Sequence, residues 1–97
     1  MKVNIQSVGF TAQSRLLEFV EQKVGKLLKF EDRIEGAEVY LKLESGQEER
    51  KVAEIKLLVS GEDLFASKQA NSFEEATDEA TEALRRQLLK RKGKLND

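Results

Sequence analysis

Residues 37–69 read AEVYLKLESGQEERKVAEIKLLVSGEDLFASKQ, and their alternation decides the fold. Ala37, Val39, Leu41 and Leu43 place an apolar side chain at every second residue, with Glu38, Tyr40, Lys42 and Glu44 between them. A period of two is that of a half-buried strand, because successive side chains leave opposite faces of the pleat. Residues 51–59 repeat the pattern, with Ala53, Ile55, Leu57 and Val59 inward. Polar residues 45–49 separate the two strands. Ser60-Gly61-Glu62-Asp63 reads as a hairpin turn in which glycine supplies the positive φ. A fourth strand runs from Leu64 to about Gln69, with either Leu64 and Ala66 or Phe65 and Ser67 facing the core.

The flanks complete the pattern. Upstream, Lys2–Val8 alternates Val3 and Ile5 with polar neighbours, and Gly9 breaks it. Thr11 is the expected N-cap of a helix over roughly 12–29, its hydroxyl accepting from an early backbone N–H. Leu16, Val20, Val24 and Leu27 give that helix one apolar face, Leu17 and Leu28 widen it, and Glu31-Asp32-Arg33 ends it. Downstream, Ser72 followed by Glu75 is a capping box that opens a last helix with Phe73, Ala76, Thr77, Ala80, Leu84 and Leu88 as its buried stripe. Gly93 is expected to interrupt it, leaving residues from about 92 to 97 as a flexible basic tail. The order is β-α-β-β-β-α. An α+β domain over residues 1–97 is predicted, a four-stranded mixed sheet with two helices packed on one face. The helix between the first two strands implies a right-handed parallel crossover, and the later strands pair antiparallel.

Composition narrows the chemistry. The chain has 97 residues, enough for one modest core, and neither cysteine nor histidine. Disulfides, thiolate metal sites and cysteine nucleophiles are excluded, and the commonest general base and metal ligand is missing. No catalysis, cofactor, metal site or small-molecule substrate is expected. No stretch has the length and apolarity of a membrane span, and the N-terminus lacks a signal-peptide core, which predicts a soluble cytoplasmic protein that does not bind membranes.

Charge is segregated. In the last helix Glu74, Glu75, Asp78, Glu79 and Glu82 come first, then Arg85, Arg86, Lys90, Arg91, Lys92 and Lys94 with no acid between them. Acids early and bases late suit the helix macrodipole, but two or three cations would serve it. The excess, on a chain of net charge −1, marks a surface built to meet phosphates. At about 100° per residue, Arg15, Lys26 and Lys29 share one face of the first helix, and Lys23 lies nearer the core edge, its stem packed and its ammonium reaching outward. Arg86 and Lys90 share a face of the second helix, and Arg91 falls close to its buried side, as though core contact ended there. If the helices lie side by side, their basic stretches merge into a groove-like patch. Only Tyr40 among the aromatics is predicted to face outward from a strand, so backbone and shape recognition of folded RNA is favoured over stacking on the sheet.

Several runs carry a family resemblance over essentially the whole chain. They are Phe19-Val20-Glu21-Gln22-Lys23-Val24-Gly25-Lys26-Leu27, then Phe30 with Asp32-Arg33-Ile34, then Ala66-Ser67, and Arg86-Gln87-Leu88-Leu89-Lys90-Arg91-Lys92-Gly93-Lys94-Leu95. In this order and spacing they resemble the ribosome hibernation promoting factors, including the related ribosome-associated inhibitor A. The resemblance implies a bacterial protein that binds the small ribosomal subunit and its 16S rRNA in the mRNA and tRNA channel, over the A and P sites. It also implies inhibition of translation in stationary phase or stress. Lys23 and Lys26, with Arg86, Lys90, Lys92 and Lys94, match the family's rRNA-contacting positions, and Lys29 joins them by its place on the same helix face. At the start of the last helix the family usually has Asp-Met-Tyr, whereas this chain has Ser72-Phe73-Glu74. The sequence also reads as a short form without the family's dimer-forming second domain, so pairing of ribosomes would call on a separate factor. Two other readings compete: a general double-stranded RNA binder, and a protein-interaction module using the sheet face around Tyr40, Lys42, Glu54 and Lys56.

Overall fold

The structure is a computed structural model that describes residues 2–30, 33–46 and 48–95, with side chains of the last helix described as far as Arg91. Six elements occur in the expected order: β1 (Lys2–Val8), α1 (Ser14–Leu28), β2 (Ile34–Glu44), β3 (Arg50–Val59), β4 (Leu64–Ala70) and α2 (Phe73–Leu95). The sheet order is β1-β2-β3-β4. β1 pairs parallel with β2, Ile5 lying opposite Val39, and the other two pairings are antiparallel, with Val39 opposite Ile55 and Ile55 opposite Ala66.

Alternation puts Ala37, Val39, Leu41, Ala53, Ile55, Leu57 and Val59 on one face, where they join Val20, Val24 and Leu27 of α1 and Ala76, Ala80, Leu84 and Leu88 of α2 in one core. Two helices on one sheet face bury every apolar stripe at once, and the opposite face meets solvent. The ambiguity in β4 is resolved: Leu64 and Ala66 enter the core, and Phe65 is 54% exposed on the far face. Gly61 takes φ +87 in the β3–β4 turn, as the hairpin reading requires. Gly9 takes φ +85 and passes so close to β2 that a Cβ there would lie 2.6 Å from the Leu43 carbonyl oxygen, which makes the break after β1 obligatory.

Four local expectations are corrected. Thr11 does not cap α1: Gln13 occupies the N-cap, gives no side-chain hydrogen bond, and the helix starts at Ser14. The ring stack of Phe10 on Phe73 holds the chain in the link before the helix, so helical backbone begins later than the capping preference suggests. β2 starts at Ile34, three residues before Ala37, because an irregularity between Ile34 and Gly36 lets the strand continue along β3. Gly93 does not interrupt α2, whose backbone is helical through Leu95. One glycine costs about 1 kcal/mol relative to alanine, which its lysine, arginine and leucine neighbours offset by propensity. Arg91 does not mark the end of contact with the body, since its Nη2 donates to the Ser60 carbonyl at 3.0 Å. Glu31 and Asp32, read as the end of the first helix, lie outside the described residues, as do Asn96 and Asp97 of the expected tail.

Candidate nucleic-acid interface

Three contacts fix how the helices lie. Phe10, just before α1, stacks on Phe73 at the start of α2, with centroids 4.4 Å apart. Lys23 Nζ is 2.8 Å from Asp78 Oδ1. Beyond the end of α1, the Phe30 ring lies under the Arg85 guanidinium, 5.7 Å from its centroid. Residue numbers rise together along both helices, so α1 and α2 are parallel and begin at the same end. Residues 86–95 of α2 therefore run on past the end of α1, about 15 Å of helix at 1.5 Å per residue.

This arrangement gathers the basic residues at one end. Lys26 and Lys29 lie in and just beyond the last turn of α1, both exposed, near the level where α2 turns from acidic to basic. Arg86 and Lys90 are exposed on the overhanging part of α2. None of these four has an acidic partner among the described residues. The backbone of Lys92 and Lys94 continues the same helix, and their side chains lie outside the described residues. Both helix ends point their negative dipole poles this way, so the cations are held where the fold itself favours them.

Lys23 behaves differently. Instead of reaching outward it turns across to α2, bonding Asp78 and passing 5.5 Å from the centroid of Phe19. It lines a groove of about 600 Å³ between the helices, floored by Leu27 and Phe30, with Lys26 and Arg85 as its other cations. Asp78, Glu79 and Glu82 line it too. The groove-like basic patch expected from side-by-side helices is thus only partly formed. Where α1 faces α2 the charges are mixed. Of the four cations without an acidic partner among the described residues, Lys26 lines the groove and Lys29, Arg86 and Lys90 lie outside its lining.

Three side chains shape this surface through contacts the sequence did not foresee, two of them, Arg85 and Arg91, already read as part of the basic run. Arg85 stands at the mouth of the groove, tied loosely to Glu82 at 3.9 Å and stacked over Phe30. Gln87 Nε2 donates to the Phe65 carbonyl at 3.0 Å, and Arg91 to that of Ser60. The last two bonds fasten the overhang to β4 and to the β3–β4 turn, so Lys90 between them and Arg86 beside Gln87 are carried on a braced helix. Their acceptors are backbone carbonyls more than twenty residues away, which leave no mark in the sequence.

Compared with known proteins, the sequence matches the family described as Sigma 54 modulation protein / S30EA ribosomal protein over residues 3–96. The chain belongs to this family. It is 33% identical over 95 residues to a ribosome hibernation promoting factor of Klebsiella oxytoca, covering 98% of this chain and 97% of the relative. A factor of the same name from Azotobacter vinelandii is 31% identical over 94 residues, covering 97% and 85% of the two chains. A ribosomal subunit interface protein from Coxiella burnetii has the same fold, with a TM-score of 0.85 at 18% identity over 96% of this chain and 99% of that one. The N-terminal domain of Thermus thermophilus Protein Y aligns with a TM-score of 0.74 at 22% identity, over 90% and 91% of the two chains.

Within the hibernation promoting factor family this chain's Ser72-Phe73-Glu74 has a visible structural use. Ser72 Oγ accepts from Glu75 N–H at 3.1 Å and caps α2, and Phe73 is buried against Phe10. Glu74 is left exposed. On the far side of the sheet, around Tyr40, Lys42 Nζ lies 2.9 Å from Glu54 and Lys56 Nζ 3.7 Å from Asp63. The Glu54 carboxylate, by hydrogen bond and charge, raises the Lys42 pKa above its ordinary value. These lysines are matched by acids, unlike those at the helix ends.

Proposed function

We propose that the chain is a ribosome hibernation factor that binds 16S rRNA of the small subunit in the mRNA and tRNA channel, over the A and P sites, and inhibits translation in stationary phase or stress. Family membership supports association with ribosomes. The observation that carries the finer reading is the basic end of the helix layer. There Lys26, Lys29, Arg86 and Lys90 are exposed and unpaired among the described residues, on helices that point their carboxyl ends the same way. Cations without internal partners are available to displace counterions from phosphate. Lys23 joins them by exchanging Asp78 for a phosphate, and Lys92 and Lys94 extend the row along α2.

The mechanism is occlusion. A rigid body of 47 × 25 × 18 Å seated in the channel excludes tRNA and mRNA by volume. Inhibition of in-vitro translation then falls when initiator tRNA and mRNA are bound first, and reverses on a high-salt wash that leaves the rRNA intact. Co-sedimentation with small subunits on sucrose gradients is the direct test. If some six cations meet phosphates, binding weakens with a log–log salt slope of magnitude roughly 4 to 6. A flat salt response overturns the reading, and equal affinity for an isolated RNA duplex replaces it with general double-stranded RNA binding.

A further inference from the structure

The opposite end of the helix layer carries a second feature. Where α1 and α2 begin, a cavity of about 490 Å³ opens between Phe10, Phe19, Leu43 and Phe73, with Arg15 and Lys51 at its rim. Its size falls within the roughly 300–1,000 Å³ usual for small-ligand sites. We propose that it receives one unstacked base of the bound RNA, the ring laid against Phe10 and the adjoining phosphate held by Arg15 and Lys51. This inference rests on the RNA-binding reading above and adds to it a single-base contact.

The wall is already a stacking platform. Phe10 and Phe73 lie nearly parallel, 11° apart, and Phe73 is buried at 7% exposure while Phe10 is only half-buried. Phe10 is thus the outer ring of a two-ring stack, and a third flat ring extends it at little cost. Unpaired bases are taken up on aromatic faces in this way by proteins that bind single-stranded RNA.

The rim supplies the charge. Neither Arg15 nor Lys51 has an acidic partner among the described residues, and Glu74 is the single acid lining the cavity, so the cations are in excess. Arg15 also sits in the first turn of α1, where the macrodipole disfavours a cation. That turn carries no acid, and its N-cap offers no side-chain hydrogen bond. An incoming phosphate satisfies the arginine and the helix end together. Thr11 and Gln13 line the same cavity, both exposed, and bring a hydroxyl and an amide able to pair with a base edge.

Continuity favours RNA as the occupant. Arg15 lies on the face of α1 that carries Lys26 and Lys29, about 17 Å from Lys26 along the axis. A strand held by those lysines passes the mouth of the cavity. A nucleotide presents a flat ring and a phosphate in one unit, which is the pairing of groups that the cavity and its rim complement.

The chain has no tryptophan, so Phe10→Trp installs a single fluorescent reporter in the wall. Its emission is expected to be quenched by about half or more when small subunits bind. Arg15→Glu with Lys51→Glu is expected to remove that quench and weaken binding about ten-fold. Phe10→Leu tests the platform without the reporter. Chemical probing of rRNA should show one unpaired base protected by the unsubstituted chain and reactive again with the leucine variant, compared at protein concentrations that saturate the subunits because loss of the stack weakens binding about ten-fold. Co-sedimentation with neither quench nor a protected base lost in Phe10→Leu overturns the cavity proposal and leaves rRNA binding intact. Failure of the unsubstituted chain to co-sediment overturns both.

Discussion

The two halves of α2 belong to one helix and have opposite relations to the rest of the protein. The first half is acidic and lies against α1, where Asp78 binds Lys23, and farther along Glu82 lies near Arg85. The last ten residues are basic and overrun α1, held to the sheet by the buried Leu88 and by bonds from Gln87 and Arg91 to backbone carbonyls. Acids are placed where they meet the chain's own cations, and several bases where they meet none among the described residues. Net charge near zero therefore conceals a polar molecule. The segregation matters because attraction to phosphate follows local charge density more than the total.

The most severe way to break this division is to reverse the free cations. Arg86→Glu with Lys90→Glu is expected to abolish co-sedimentation with small subunits, while both sites, being exposed, leave folding stability within about 0.5 kcal/mol. Equal loss of stability would mean that Arg86 and Lys90, like Leu88 of the same segment, pack against the body. The converse substitution strikes the shared buried stripe. Leu84 is fully buried, so Leu84→Ala is expected to cost about 2–5 kcal/mol in chemical denaturation. At temperatures where the variant remains folded its subunit affinity should be close to that of the unsubstituted chain.

A smaller effect probes the acidic half. The Lys23–Asp78 pair is partly exposed, so Asp78→Asn is expected to lower stability by no more than about 1 kcal/mol. By freeing Lys23 it should strengthen subunit binding at low salt, and weaker binding would show that Asp78 orients Lys23 for its partner. The smallest effect concerns the sheet face. The Lys42 pKa is raised by Glu54, so its stabilising contribution is complete below the ordinary lysine value and is lost as pH rises through the higher folded value. Thermal melts of Lys42→Gln and the unsubstituted chain should therefore differ slightly at neutral pH and converge in strong alkali, with no change in subunit binding at neutral pH.

Much of this was legible in the chain itself. Strand periodicity, the capping box at Ser72 and the apolar stripes of both helices depend on neighbours one to four residues apart, and they determined element order and core membership. The reversal of charge along α2 was equally plain, because helix geometry turns a linear run into a surface. Local preference failed where a distant contact outweighed it. Thr11 lost its capping role when Phe10 was stacked on Phe73, and the overhang stayed against the body because Arg91 found the Ser60 carbonyl.

The tertiary structure alone decided what lay between elements. It chose Leu64 and Ala66 over Phe65 for the core, since both faces of β4 offered an apolar residue and only packing against α2 could separate them. It set the two helices parallel and offset, which put Lys23 opposite Asp78 and left Arg86 and Lys90 without an acidic partner among the described residues. It also brought Phe10, Phe19 and Phe73 to one cavity beside Arg15 and Lys51. Periodicity reports which side of an element is apolar. Which groups from separate elements meet is settled by how their faces pack, and no local pattern encodes that.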